Sequence, residues 1–173
     1  MNVIEQCPED SKIISVARSH FHLLQKTDEF KKGLEKGLTF ELACADPQKI
    51  TPYLTKVSLL YDHDIESALT DLRELLKWAI KTKPKGTIEL RYHGTDLYDS
   101  AIIFTSEGGE EKLVWDLSFG RGLTQKRVII LNTGYQLGED LKSRYTTIYN
   151  NATPQIRYAN GEIELNEFDW EFI

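Results

Sequence analysis

Hydrophobic positions along the chain follow two periods, and each predicts a different kind of element. In segment 62–81 the apolar residues recur in alternating steps of four and three, which is one stripe of an amphipathic helix. These residues are Ile65, Leu69, Leu72, Leu76 and Ala79. Acidic residues stand at the start of the segment and lysines at its end, as the helix dipole favours. Pro84-Lys85-Gly86 then ends the predicted helix.

Short runs of β-branched and aromatic residues predict strands on both sides of this helix. The runs occupy residues 12–17, 38–44, 87–93, 101–105, 113–119 and 127–132, the last as a buried strand. Thr27 is a suitable N-cap and Gly37 a suitable C-terminal cap for an earlier helix. A further helix is predicted over 138–151. Asn160-Gly161 is the strongest short hairpin signal and predicts a C-terminal hairpin.

The predicted order of elements indicates an α/β fold. Strand, helix, strand, helix and strand come first, and three consecutive strands, a helix and a hairpin follow. Strands that alternate with helices favour right-handed crossovers and a parallel sheet, whereas consecutive strands favour antiparallel additions. We therefore expect one α/β domain over 1–173, with a mixed, mostly parallel sheet flanked by helices. Its core is expected at 10–152, followed by a β-hairpin and tail at 153–173.

Composition narrows the classes of function. The net charge of −6 over 173 residues argues against general nucleic-acid binding, because phosphate contacts need clustered lysine and arginine. Cys7 and Cys44 are expected to be reduced thiols. No apolar run reaches the roughly 20 residues of a membrane span, and the N-terminus lacks the pattern of a signal peptide. We expect a cytoplasmic protein without membrane association.

Several stretches, in this order, carry a likeness to a known family. Lys12–Ser19 is a strand with a polar exit, and Phe30–Pro47 contains a helix, a Lys-Gly turn and a strand ending in Asp-Pro. Thr87–His93 and Asp99–Phe104 form two further strands, and Leu141–Ala152 a closing helix. Together they resemble one half of the phospholipase D superfamily across most of residues 10–152, in particular its degenerate members that lack the catalytic motif.

The departure from that family concerns its catalytic motif. Active members carry a histidine, one residue and a lysine on the strand that begins here near Ser100. In that register this chain has Ser100 and Ile102. The resemblance implies a histidine that accepts the phosphoryl group covalently and a lysine that stabilises its charge, and serine and isoleucine supply neither role. Ordinary phospholipase D chemistry is therefore not expected.

Polar residues at the ends of the predicted strands form the candidate site. Strand ends gather at one edge of a parallel sheet, where open α/β proteins bind ligands. Two arginines near histidines would make this edge locally positive on an otherwise acidic protein. They therefore predict an anionic ligand, such as a nucleotide phosphate. His20-Phe21-His22 supplies only half of a metal site, so neither metal nor cofactor is predicted. The candidate ligand-binding residues are Arg18, Ser19, His20, His93, Asp99, Ser100, Ser118 and Arg121.

Three functions remain open on the sequence. The first is a non-catalytic phospholipase D-like module that senses or binds an anion. The second is a phosphodiesterase or nuclease with a noncanonical site around His93, Asp99 and Ser100, because a histidine beside a carboxylate can do acid–base work. The third is a structural adaptor. The apolar end Trp170-Glu171-Phe172-Ile173 favours packing of the tail on the body of the domain, on a protein partner or on a second copy in a homodimer.

Incubation with a phosphodiester substrate is expected to leave every histidine unmodified, because the motif positions hold Ser100 and Ile102. Mass spectrometry of acid-sensitive phosphopeptides, with an active phospholipase D as the positive control, tests this. A phosphohistidine at His20, His22, His63 or His93 would contradict the expectation.

Overall fold

A computed structural model describes residues 3–17, 27–46, 62–95, 97, 99–116 and 128–165, and for 62–69 the backbone alone. Within these residues the order of the predicted elements is confirmed, with one short additional helix at the start. The helices are α1 (Val3–Gln6), α2 (Thr27–Glu35), α3 (Asp62–Thr82) and α4 (Gln136–Asn151). The strands are β1 (Lys12–Val16), β2 (Thr39–Ala45), β3 (Thr87–His93), β4 (Ser100–Thr105), β5 (Glu111–Asp116), β6 (Val128–Asn132), β7 (Thr153–Ala159) and β8 (Glu162–Leu165).

All eight strands form one mixed sheet in the order β6-β5-β4-β1-β2-β3-β7-β8. Only β1, β2 and β3 pair in parallel, and every other neighbouring pair is antiparallel. The expectation of a mostly parallel sheet is therefore wrong. Only the connections from β1 to β2 and from β2 to β3 act as parallel crossovers. Helix α4 joins β6 to β7, which lie on opposite sides of the parallel strands, so this crossover adds no parallel pair.

Two turn predictions are confirmed by the backbone. Gly37 has a φ of 90°, and the amide of Leu38 donates to the carbonyl of Gly33 at 2.9 Å, which closes the end of α2. Asn160 and Gly161 have φ values of 54° and 84° between β7 and β8. Positive φ at both central residues defines the type I′ turn whose twist matches the paired strands.

The sheet has a hydrophobic layer on each face. Helices α2 and α3 cover the first face, where Leu72, Leu76 and Ala79 of the predicted stripe are buried against Phe40 and other strand residues. The side chains of Ile65 and Leu69 belong to the segment for which the structure describes the backbone alone. Helix α4 covers the second face through residues that pack on β1, β4 and β5. These residues are Leu141, Tyr145 and Tyr149.

The strand predicted over 127–132 forms, but it is not buried. It is β6, the last strand at one side of the sheet, and Val128, Ile129 and Ile130 are 48%, 39% and 51% exposed. An apolar run has the same appearance in a buried strand and in an uncovered edge strand, so periodicity alone could not separate them.

Both cysteines are free thiols, as expected. Cys7 is fully buried, and burial, helped by the nearby Asp46 carboxylate, raises the pKa of Cys44 to about 12. Cys44 is thus protonated at physiological pH and behaves as a small apolar residue. In the part of the chain that the structure describes, no helix is long and apolar enough to cross a membrane.

Replacing Gly86 by alanine is expected to lower the free energy of unfolding by about 1–3 kcal/mol, because it overpacks a tight contact. The Gly86 amide donates to the Leu34 carbonyl at 2.8 Å, and an added Cβ would lie 2.8 Å from the Leu34 Cα and closer still to the Leu38 carbonyl oxygen. Urea unfolding measures the change. The matched control is Gly108→Ala, where the added Cβ meets nothing within 4 Å. Equal losses in the two variants would refute the steric explanation.

Candidate functional site

The ends of several strands meet at one edge of the sheet. β1, β2 and β3 run in the same direction, and β5 shares it because β4 is antiparallel to both β1 and β5. We call the edge where β1, β2, β3 and β5 end the carboxyl edge. β4 begins at this edge.

His93, Asp99 and Ser100 are the predicted site residues that the structure describes. His93 ends β3, Ser100 begins β4 and Asp99 directly precedes it, so all three lie at the carboxyl edge. The other members of the predicted site fall outside the described residues and stay predictions. They are Arg18, Ser19, His20, Ser118 and Arg121.

Both ring nitrogens of His93 are engaged by the backbone. Nε2 lies 3.0 Å from the carbonyl oxygen of Ala17, and Nδ1 lies 3.3 Å from the amide nitrogen of Thr95. A carbonyl oxygen only accepts, so Nε2 carries the hydrogen, and Nδ1 accepts from the Thr95 amide. The ring thus links the end of β3 to the end of β1, across β2.

The surroundings of His93 favour the neutral ring. The residue is only 3% exposed, and burial lowers the pKa of its imidazole. A second proton would have to occupy Nδ1, where it would break the bond from Thr95. In this arrangement His93 holds the edge together, and acid–base work would require one of these bonds to open.

Asp99 joins three elements at the carboxyl edge. Its Oδ2 accepts from the indole Nε1 of Trp115 on β5 at 3.0 Å and from Nη1 of Arg144 on α4 at 3.3 Å. The Asp99 side chain is 13% exposed, whereas that of Arg144 is 48% exposed. The Arg144 guanidinium also lies 5.2 Å from the centre of the Tyr145 ring. Arg144 thus balances the negative charge of the carboxylate, and the carboxylate fixes the start of β4 against β5 and α4.

The Tyr145 hydroxyl completes this cluster. Tyr145 is fully buried, and burial, followed by the nearby Asp99 carboxylate, raises the pKa of its phenol. Among the described residues, neither the Tyr145 hydroxyl nor Asp99 Oδ1 makes a hydrogen bond. The Asp99 carboxylate is nonetheless close enough to the Tyr145 phenol to contribute to its raised pKa. Because the raised pKa keeps the phenol protonated, Tyr145 is not available as a base.

Ser100 points away from this cluster. Side chains alternate along a strand, and Ile102 and Phe104 belong to the core under α2 and α3, whereas Ala101 and Ile103 belong to the core under α4. Ser100 therefore lies on the face opposite to Asp99. Neither residue is hydrogen-bonded to His93 in this structure, whose ring is committed to Ala17 and Thr95.

The candidate site predicted from the sequence includes neither Arg144 nor its neighbours Trp115 and Tyr145. Tyr145 does lie at helical spacing from Leu141, which indicates a buried face but not a polar partner. No local signal indicates the Arg144–Asp99 pair, because it joins residues 45 positions apart. The indole nitrogen of a near-core tryptophan needs a polar partner, and that was the one available hint for Trp115.

A second polar cluster lies on the α4 face of the sheet, away from the carboxyl edge. Glu41 and Glu89 are direct neighbours on β2 and β3. Lys12 lies 3.2 Å from Glu41, and Arg91 Nη2 lies 2.7 Å from Glu89. The Arg91 guanidinium also stacks 4.5 Å from the centre of the Tyr149 ring. Two adjacent carboxylates can perform acid–base chemistry, but here each is paired with its own cation.

Over the residues that the structure describes, no group of three or more histidine, cysteine or acidic residues is arranged to hold a metal ion. His20 and His22 lie outside those residues. Models of known protein families give no match to the chain, and no curated protein matches it either.

Replacing His93 by glutamine is expected to lower the free energy of unfolding at pH 7.5 by about 1 kcal/mol, since glutamine donates to Ala17 but loses the bond from Thr95. The folded state holds His93 neutral, whereas the unfolded chain takes up a proton below about pH 6.5. The contribution of His93 is therefore complete above about pH 6.5 and falls as the pH drops towards its lowered folded-state pKa.

Urea unfolding of both proteins between about pH 5.5 and 7.5 tests this. The difference in unfolding free energy between the wild type and His93→Gln should shrink at the acidic end, since the other histidines are common to both proteins. A difference that grows on acidification would mean that the folded state prefers the charged ring.

Proposed function

We propose that the chain is a non-catalytic phospholipase D-like module that binds an anionic, phosphate-bearing ligand at the carboxyl edge. One observation carries the proposal: β1 and β5 run in the same direction and both end at this edge. In the sequence, Arg18 follows β1 and Arg121 follows β5. The two segments expected to supply arginines therefore both start at the same side of the sheet.

The positions that would carry catalysis support a binding role. Ile102, at the lysine position of the family motif, packs against the core under α2 and α3. The His93 ring is neutral and bonded through both nitrogens. The Asp99 carboxylate is paired with the Arg144 guanidinium. Because these side chains are already hydrogen-bonded or packed, they form a rigid surface for a ligand. None of the three is available as a nucleophile or as a general base.

Arg144 adds a cation to the proposed site. A guanidinium has five N–H donors, and the bond to Asp99 is made from Nη1. The side chain is about half exposed, so a ligand can reach it. The cation–π contact with Tyr145 holds the guanidinium in a fixed orientation, which favours bidentate contact with a phosphate group.

A saturable ligand is expected among phosphate-bearing compounds. Thermal-shift measurements with ATP and with inorganic phosphate, followed by calorimetric titration, identify it. Affinity should fall with added salt, because the contacts are between charges near the surface. Arg18→Ala and Arg121→Ala should each weaken binding roughly ten- to a hundredfold, which is about 1.5–3 kcal/mol for a charge-assisted contact.

The matched control is Arg157→Ala. Arg157 is an exposed arginine on β7 that pairs with Glu164 on β8 and is remote from the ends of β1 and β5. Its removal should leave the affinity unchanged. If Arg18→Ala and Arg121→Ala also bind with unchanged affinity, the proposed site is wrong. Turnover of a generic phosphodiester that disappears in His93→Gln would instead favour the phosphodiesterase alternative.

A further inference from the structure

Exposed large hydrophobic side chains in the described part of the chain concentrate at one side of the sheet. All but Ile80 belong to β6 or to the approach and first turn of α4. They are Val128, Ile129, Ile130, Tyr135 and Leu137. Single exposed apolar residues are ordinary on protein surfaces, whereas a contiguous group indicates an interaction surface.

The backbone of β6 adds a second property to this surface. Among the strands that the structure describes, β6 is the outermost and pairs with β5 alone, in a regular register from Val128 to Asn132. It contains no charged residue, no proline and no bulge, which are the usual devices that protect an edge strand. The opposite edge strand, β8, carries Glu162 and Glu164. Charged residues thus protect the outer strand β8 from pairing with another chain, whereas the outer strand β6 has no such protection.

We propose that β6 is a self-association edge, at which β6 of a second copy of this chain pairs in antiparallel fashion. A two-fold axis perpendicular to the sheet at Ile130 would join the two eight-stranded sheets edge to edge. Such an axis preserves the faces, so the α4 sides of both copies lie together. An isologous contact requires only that the surface be complementary to itself.

The side chains of β6 meet that requirement. With the axis at Ile130, this residue faces its own counterpart, Ile129 faces Leu131 of the second copy, and Val128 faces Asn132 of the second copy. Apolar residues therefore meet on both faces of the joined sheet. Tyr135 follows β6 at the end where the second copy's β6 begins, so its exposed ring extends the contact.

Charge permits a second copy at β6 and disfavours one at the other edge strand, β8. Each copy has a net charge of −6, so two copies repel each other over most approaches. The uncharged β6 lets them meet without placing carboxylates opposite each other, whereas two β8 strands would bring Glu162 and Glu164 into one interface. A five-residue strand with Tyr135 and Leu137 is small beside a standard interface of about 1,600 Å². We therefore expect a dimer that dissociates at about micromolar concentration.

Sedimentation velocity from about 1 to 100 µM tests the proposal. The wild type should shift from monomer to dimer over this range. Ile130→Lys should weaken the dimer at least tenfold, because it places two like charges at the axis. The matched control is Ile80→Lys, since Ile80 is 44% exposed on α3, and it should dimerise as the wild type does. Both sites are exposed, and circular dichroism checks that both variants fold.

Cysteine cross-linking provides a second measurement, because a disulfide traps the dimer covalently and so detects even a weak one. Under mild oxidation Ile130→Cys should form an intermolecular disulfide far faster than Ile80→Cys, because only residue 130 faces its own counterpart. Cys7 is buried, and Cys44 has its pKa raised, so neither competes. A wild type that stays monomeric, a dimer that Ile130→Lys leaves intact, or equal cross-linking of the two cysteine variants would each overturn the proposal.

Discussion

The parallel pairing of β1, β2 and β3 is the constraint from which the rest of the structure follows. Parallel neighbours require crossover connections, and crossovers of one hand between successive strands place their helices on one face. Helices α2 and α3 accordingly pack together over the first core. The second face has to be covered by another part of the chain, and α4 does this as it passes from β6 to β7. The chain's late helix is therefore as necessary to the core as the early ones.

The same pairing determines how the carboxyl edge is built. Three parallel strands end together, and their terminal polar groups would be strained or unsatisfied without partners from elsewhere. His93 meets this need by bonding to the backbone of both Ala17 and Thr95. Asp99 meets it on the α4 side by joining Trp115 and Arg144. These contacts stabilise the edge first, and any ligand there meets groups that are already oriented, which reduces the entropy lost on binding.

Local chemistry explains what the sequence could predict. The helix cap at Gly37 and the turn at Asn160-Gly161 depend on positive φ, which few residue types adopt. The residue types at these positions therefore predict the cap and the turn. The placement of β4 beside β1, and not beside β3, is a pairing between distant parts of the chain, and no short segment encodes it. The Asp99–Arg144 pair and the uncovered position of β6 are equally non-local. Candidate residues could thus be assigned to strand ends, but their partners could not be predicted.

The two outer flanks of the described sheet differ in the side chains that they expose. Helix α4 packs on β1, β2, β3, β5 and β6, so the far strands on the α4 face depend on their own side chains. There the exposed side chains of Arg157 on β7 and Glu164 on β8 are paired at 3.3 Å, so this flank presents charges to the solvent. On the opposite flank, β6 presents isoleucines where a solvated edge would carry charges. A sequence that places charges on one outer strand and apolar residues on the other is consistent with a partner at the apolar strand alone.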